Sequence, residues 1–235
     1  MHEPNPTNRR EFVERVAAGA LALGVGAAAS PASALASTAL DNASSTLKPD
    51  NSWLAGIKGN HAQIFDMPAP NGAFPLFHVR NYMRTYKDAW GLTYPNVLSI
   101  VSLYGMTVPM AFNDKMWAKY GFGAATQSMD RATKAPAVRN VFAIAEGGIV
   151  PGSAAIDIPG DASIAALQSV GTRFILCDNA YNFWVARLAA GMGGNAKDIR
   201  ADLDANMLPH ITLVPAMVIA FNQAQAAGAS YMFLP

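Results

Sequence analysis

The chain has one cysteine, Cys177, and it closes the apolar run Arg173-Phe174-Ile175-Leu176-Cys177 just before a helix-forming stretch. A cysteine placed where strand gives way to helix has the first amides of that helix at hand. Those amides stabilise a thiolate, the nucleophilic form of the group. Asp178, next in sequence, opposes this with its own negative charge unless its carboxylate is used in capping. The competing reading is that a lone cysteine at a strand end is a small buried hydrophobe. A single thiol excludes an intramolecular disulfide and any Cys-rich metal cluster. Group transfer through it would need an acceptor thiol on another molecule.

Other residue sets offer less. The histidines are His2, His61, His78 and His210, far apart and without the spacing of metal ligands, so no metal site is expected. Gly147-Gly148 does not open a helix in a dinucleotide-binding frame, and neither a P-loop nor a GxSxG elbow is present. Asp202 and Asp204, two apart on a predicted helix, do not share a face as paired catalytic carboxylates must. Met106, Met110 and Met116 carry soft thioethers, but on an apolar helix they read as core. No cofactor is expected.

The elements that must position Cys177 follow from periodicity. Strands are expected at His61–Asp66, Val97–Tyr104, Arg173–Cys177, Ile211–Val214 and Tyr231–Leu234. Between them lie predicted helices at Pro75–Trp90, Val108–Tyr120, Ser163–Val170, Ala180–Leu188 and Asp198–Ala205. Asp178 and Asn179 are the expected caps of the fourth. Pro215 is placed to open a last helix that Gly228 ends. Residues 121–160 are irregular, with a short strand or helix expected over 138–145, and read as an insertion or lid beside a binding site. Alternation of short apolar strands with helices predicts an α/β three-layer, flavodoxin-like sandwich around a mainly parallel five-stranded sheet. The ligand site of such a sheet lies at the carboxyl ends of its strands.

Upstream, Arg9-Arg10 precedes the fourteen-residue run Val16–Ala29, built only of Ala, Gly, Leu and Val. As a helix that run rises about 21 Å, short of a hydrocarbon core of about 30 Å. With small-x-small cleavage sites at Ala32–Ala34 and Ala34–Ala36, it reads as a twin-arginine signal peptide over 1–36. Export by the twin-arginine translocase to the periplasm is therefore expected, with a flexible linker over 37–60 and the domain over 61–235. Trp53 and Leu54 are the linker residues that would pack onto the domain. Net charge is +1, from 17 basic and 16 acidic residues, which gives no electrostatic case for nucleic acid. Hydrophobic residues are 51% and charged residues 14%, which excludes an intrinsically disordered chain. No later segment is long and apolar enough for a stable membrane span.

The segment Gly171–Asn179 (GTRFILCDN) and the C-terminal run LPHITLVPAMVIAFNQAQAAGASYMFLP resemble the DsrE/DsrF-like family of sulfur-relay proteins. The matching positions are Gly171, Phe174, Ile175, Cys177, Ala180, Leu208, Val214, Pro215, Gly228 and Tyr231. His78–Met83 is similar to the family's first helix, and Leu103-Tyr104-Gly105 to the end of its second strand, with Tyr104 where histidine is more usual. The resemblance covers about residues 61–120 and 165–235. It implies a subunit of a homo-oligomer in which Cys177 carries a persulfide, served by a sulfur donor or acceptor protein. On that reading Tyr104, Gly105, Asp178, Asn179 and Pro215 surround the substrate, and the chain is at most a sulfurtransferase-like carrier. The alternative is a non-catalytic ligand-binding or assembly module with a structural cysteine.

Overall fold

Alternate residues of each strand enter two separate apolar layers, as the two-residue period of a pleated strand requires. In the computed structural model, which describes residues 45–153 and 156–235, the clearest case is the third strand. Phe174 and Leu176 join one core, while Ile175 and Cys177 join the other. The five strands are β1 (His61–Asp66), β2 (Val97–Leu103), β3 (Arg173–Cys177), β4 (Ile211–Val214) and β5 (Ser230–Phe233), in the order β4-β3-β2-β1-β5. Every pairing is parallel; Phe65 lies opposite Val101, Leu103 opposite Leu176, and Asp66 opposite Phe233. This is the expected α/β sandwich.

The first face carries most of the helices. α1 (Phe74–Trp90), α2 (Asp114–Tyr120), α3 (Phe122–Ala125), α4 (Ile164–Ser169), α5 (Asp178–Met192) and α6 (Ala196–Asp204) cover it. Their buried side chains, among them Leu76, Trp117, Phe122, Leu167, Tyr181 and Leu203, form the larger core. Met110 and Met116 are fully buried there, as core methionines. The second face is covered by α7 (Met217–Ala226), through Met217, Ala220 and Ala224, and by the chain preceding β1.

That preceding segment shortens the expected linker. Trp53 and Ile57 are buried against Ala62, Ile64, Leu98 and Ile100, and Arg173 donates to the carbonyl oxygens of Trp53 and Ala55. α7 alone leaves much of this face bare, and two large apolar side chains nearby complete it. The expected signal peptide and the first part of the expected linker lie outside the described residues.

Four expectations need correction. The single helix over Val108–Tyr120 is instead a 3-10 segment, Gly105–Ala111, followed by α2. Pro109 has no N–H to continue a helix. The Asn140 amide also takes the carbonyls of Met110 and Phe112, so the chain extends at Asn113 before its side chain caps α2. Residues 138–145 form turns, in which Val141 and Phe142 are buried. The stretch 121–160 is no lid over Cys177, because Phe122, Ala137, Val141, Phe142, Val150 and Ile158 all belong to the core on the other face. α7 begins at Met217, not Pro215, since Ala216 is extended. Among the described residues no helix is long and apolar enough to cross a membrane.

Because Trp53 is a core residue, Trp53→Ala should lower unfolding stability by about 3–5 kcal/mol. Chemical denaturation of the chain from residue 37 onward measures this; a change below about 0.5 kcal/mol would return residues 45–60 to the status of a tether.

Candidate functional site

β1, β2 and β3 end side by side; Asp66 and Cys177 close β1 and β3 on the α7 face, and Tyr104 directly follows β2. The helix after β3 starts with no gap, and the cysteine itself is its N-cap: Cys177 Sγ accepts from the Ala180 N–H at 3.4 Å. A second amide reaches the same sulfur from the other side of the rim, the Met217 N–H at 3.3 Å. Two main-chain donors from two helix starts thus converge on one sulfur, an arrangement that complements negative charge there. Cys177 is 5% exposed, so a reagent reaches it only as the surrounding side chains move.

Asp178 and Asn179 were expected as caps, and neither serves. Asp178 is buried and faces the helical layer, where Arg200 holds its Oδ1 at 2.9 Å and Asn182 donates to its Oδ2. Oδ1 receives no aligned hydrogen bond, so the contact with Arg200 is an ion pair without hydrogen-bond geometry. Arg200 also reaches Asp204 and stacks over the Tyr181 ring at 3.9 Å. The charge that would oppose an anionic sulfur is therefore neutralised and turned away from it. Asn179 accepts from the Ser45 N–H, and its own N–H donates to the Pro215 carbonyl.

Tyr104 and Gly105 take different parts. The Tyr104 hydroxyl donates to Asp66 Oδ1 at 2.7 Å, while the Tyr231 hydroxyl donates to Asp66 Oδ2. Asp66 is buried, and both of its oxygens are satisfied by phenols. Phe221 of α7 stands between them, its ring 6.0 Å from Tyr104 and 5.5 Å from Tyr231, both edge to face. Gly105 is structural: its φ is +58°, a Cβ there would come 3.1 Å from the Pro68 carbonyl, and its own carbonyl accepts from Trp184 Nε1. Of the five expected contacts, Tyr104 lies on the rim beside Cys177. Pro215 and Asn179 hold the two helix starts together, and Gly105 and Asp178 are directed into the fold.

Burial, then the hydrogen bond to Asp66, pushes the Tyr104 phenol well above the ordinary tyrosine range. The Tyr231 phenol is pushed up to about 12, first by its hydrogen bond to Asp66 and then by burial. Both phenols therefore keep their protons at neutral pH and donate them in hydrogen bonds to Asp66. Asp66 and Phe221 had no distinguishing motif in the sequence. The available signal was a carboxylate ending an otherwise apolar strand on the edge where ligands bind.

The remaining candidates do not converge. His61 lies against Tyr86, His78 against Phe74 and Phe77, and His210 at the start of β4. Asp202 is held by Lys119 and Tyr120, and Asp204 by Tyr181 and Arg200. Among the described residues no three His, Cys, Asp or Glu side chains are grouped to hold a metal ion. No family profile, curated protein or solved structure matches this chain.

The phenol–carboxylate cluster has a pH signature. The fold favours the protonated phenols, so their bonds to Asp66 persist below the ordinary tyrosine value near 10; that of Tyr231 is lost as pH rises through about 12, and that of Tyr104 outlasts it. Asp66→Asn removes the negative charge, and phenolate absorbance at 295 nm should then rise at lower pH than in the parent. An unchanged alkaline titration would show that Asp66 does not hold these two phenols.

Proposed function

We propose that this chain is an exported DsrE/DsrF-like sulfur carrier, with Cys177 as the residue that takes up sulfane sulfur. The observation that carries this reading is the convergence of the Ala180 and Met217 amides on Cys177 Sγ. Amides so placed offer two hydrogen bonds to the attacking sulfur, and the thiolate is the form that attacks sulfane sulfur at a useful rate. The thiolate attacks the terminal sulfane sulfur of a polysulfide; a new S–S bond forms at Cys177, and the donor's S–S bond breaks. The shortened polysulfide leaves with the electron pair, so no external oxidant is required. Tyr104 is placed to donate a hydrogen bond to the incoming chain if its hydroxyl turns from Asp66. With a single cysteine in the sequence, the outer sulfur must leave to a thiolate on a partner, which restores Cys177.

The low exposure of Cys177 favours a second reading, a non-catalytic ligand-binding or oligomeric assembly module of the same fold. In that case the two hydrogen bonds to sulfur serve only to tie β3 to the starts of α5 and α7. The readings separate on the folded mature protein incubated with polysulfide. The carrier should gain the mass of one sulfur atom, reversibly with dithiothreitol, and Cys177→Ser should gain none. A folded protein that takes up no sulfur and resists alkylation near neutral pH supports the structural cysteine instead.

Export is the other part of the proposal, resting on Arg9-Arg10 and the apolar run Val16–Ala29. Replacing both arginines with lysine should leave the chain in the cytoplasm in a fractionation experiment. Continued export would point to the general secretory route.

A further inference from the structure

At the opposite end of the sheet from Cys177, α1 and the turn between α4 and β3 enclose an open cleft of about 940 Å³. That volume is at the upper end of the range for small-molecule sites, roughly 300–1,000 Å³. We propose that it binds a small, doubly charged organic anion with a flat apolar body.

The charge follows from the ion pairs in its walls. Two carboxylates line the cleft, Asp88 and Asp161, and two arginines answer them. Arg80 Nε lies 2.8 Å from Asp161, and Arg84 lies 3.1 Å from Asp88 and 3.9 Å from Asp161. Two further cations face the same space. Lys87 makes no ion pair among the described residues, and Arg173 donates only to the carbonyl oxygens of Trp53 and Ala55. The walls therefore carry two positive charges that no carboxylate among the described residues neutralises, in a concave setting that concentrates their field. Arg173 also borders a neighbouring hollow of about 410 Å³, so its guanidinium stands between two openings.

The apolar body follows from what lies between the cations. Tyr94 is 49% exposed and Val170 48%, and both line the cleft. The Tyr94 ring rests on Gly171, where an added Cβ would come within 2.4 Å of it. That contact fixes one side of the ring and leaves the other for stacking. Large side chains half-exposed in a charged recess mark a ligand surface more than a solvated one. Arg173 opens β3 and Cys177 closes it, a separation of about 13 Å. Binding here therefore stands apart from the sulfur chemistry proposed for Cys177.

Calorimetric titration of the full chain with phenyl phosphate tests this, with phthalate, inorganic phosphate and phenol as the other arms. Saturable binding of phenyl phosphate or phthalate, tighter than that of inorganic phosphate or phenol, is expected. The tighter of the two tells whether the anion is a phosphoryl or a carboxylate group. Lys87→Glu, on the exposed face of α1, should weaken that binding by about tenfold, and Cys177→Ser should leave it unchanged. Absence of saturable binding by both doubly charged arenes overturns the proposal. So does a Lys87→Glu protein that binds as the parent does, or inorganic phosphate binding as tightly as the arenes.

Discussion

The arrangement depends on one crossing. β4 and β5 occupy opposite edges of the sheet, four strand spacings apart, or about 19 Å. The chain between them contains α7, ten residues that rise about 15 Å. Because β5 is parallel to β4, the chain must both cross the sheet and return to the end where the strands begin, and the helix does so on the face the other connections leave open. Its first amide then lies over the end of β3, where it meets Cys177. Its middle lies over β1 and β2, where Phe221 enters between Tyr104 and Tyr231. The geometry of the cysteine and that of the Asp66 cluster are both consequences of this crossover.

The same crossing explains how the second face is closed. A single short helix with alanines at its contact positions covers little width, and Ala220 and Ala224 are what let it sit close to the strands. Trp53 and Ile57 fill the remainder, and Arg173 fixes their backbone by bonding two carbonyls. The first face is thick by comparison. There the irregular stretch 121–160 is held by buried aromatic side chains and by polar anchors such as Asn140, whose amide bonds two carbonyl groups. Irregular backbone can be buried only where its polar groups find such partners.

Charge is distributed with the same economy. With 14% charged residues, few carboxylates among the described residues are free of a cation or a hydroxyl: Asp178 has Arg200, Asp202 has Lys119 and Tyr120, and Asp66 has two phenols. Such pairs orient side chains more than they stabilise the fold, since desolvation offsets much of their attraction. The Arg200–Asp178 pair matters for the rim because it directs a negative charge away from the sulfur next to it.

What the sequence determined by itself was the list of elements. β-branched runs such as Val97–Leu103 and the three-to-four spacing of Leu76, Val79 and Met83 are local signals, and the helices and strands they mark are present. Cys177 at the junction of β3 and α5 was also legible, because strand and helix meet there without a loop. The break at Phe112 was not, since the Asn140 amide that stabilises it lies 28 residues away. Nor could the sequence decide whether Asp178 or Cys177 caps α5. Asp178 is the better capping residue by type, but it is the first residue of the helix and is paired with Arg200 across the helical layer. Tertiary structure alone decided that Asp66, Tyr104 and Tyr231 meet, and that a second amide reaches the cysteine. Both depend on which strands are neighbours and on which face the last crossover takes, and these are set by packing over the whole sheet rather than by any local pattern.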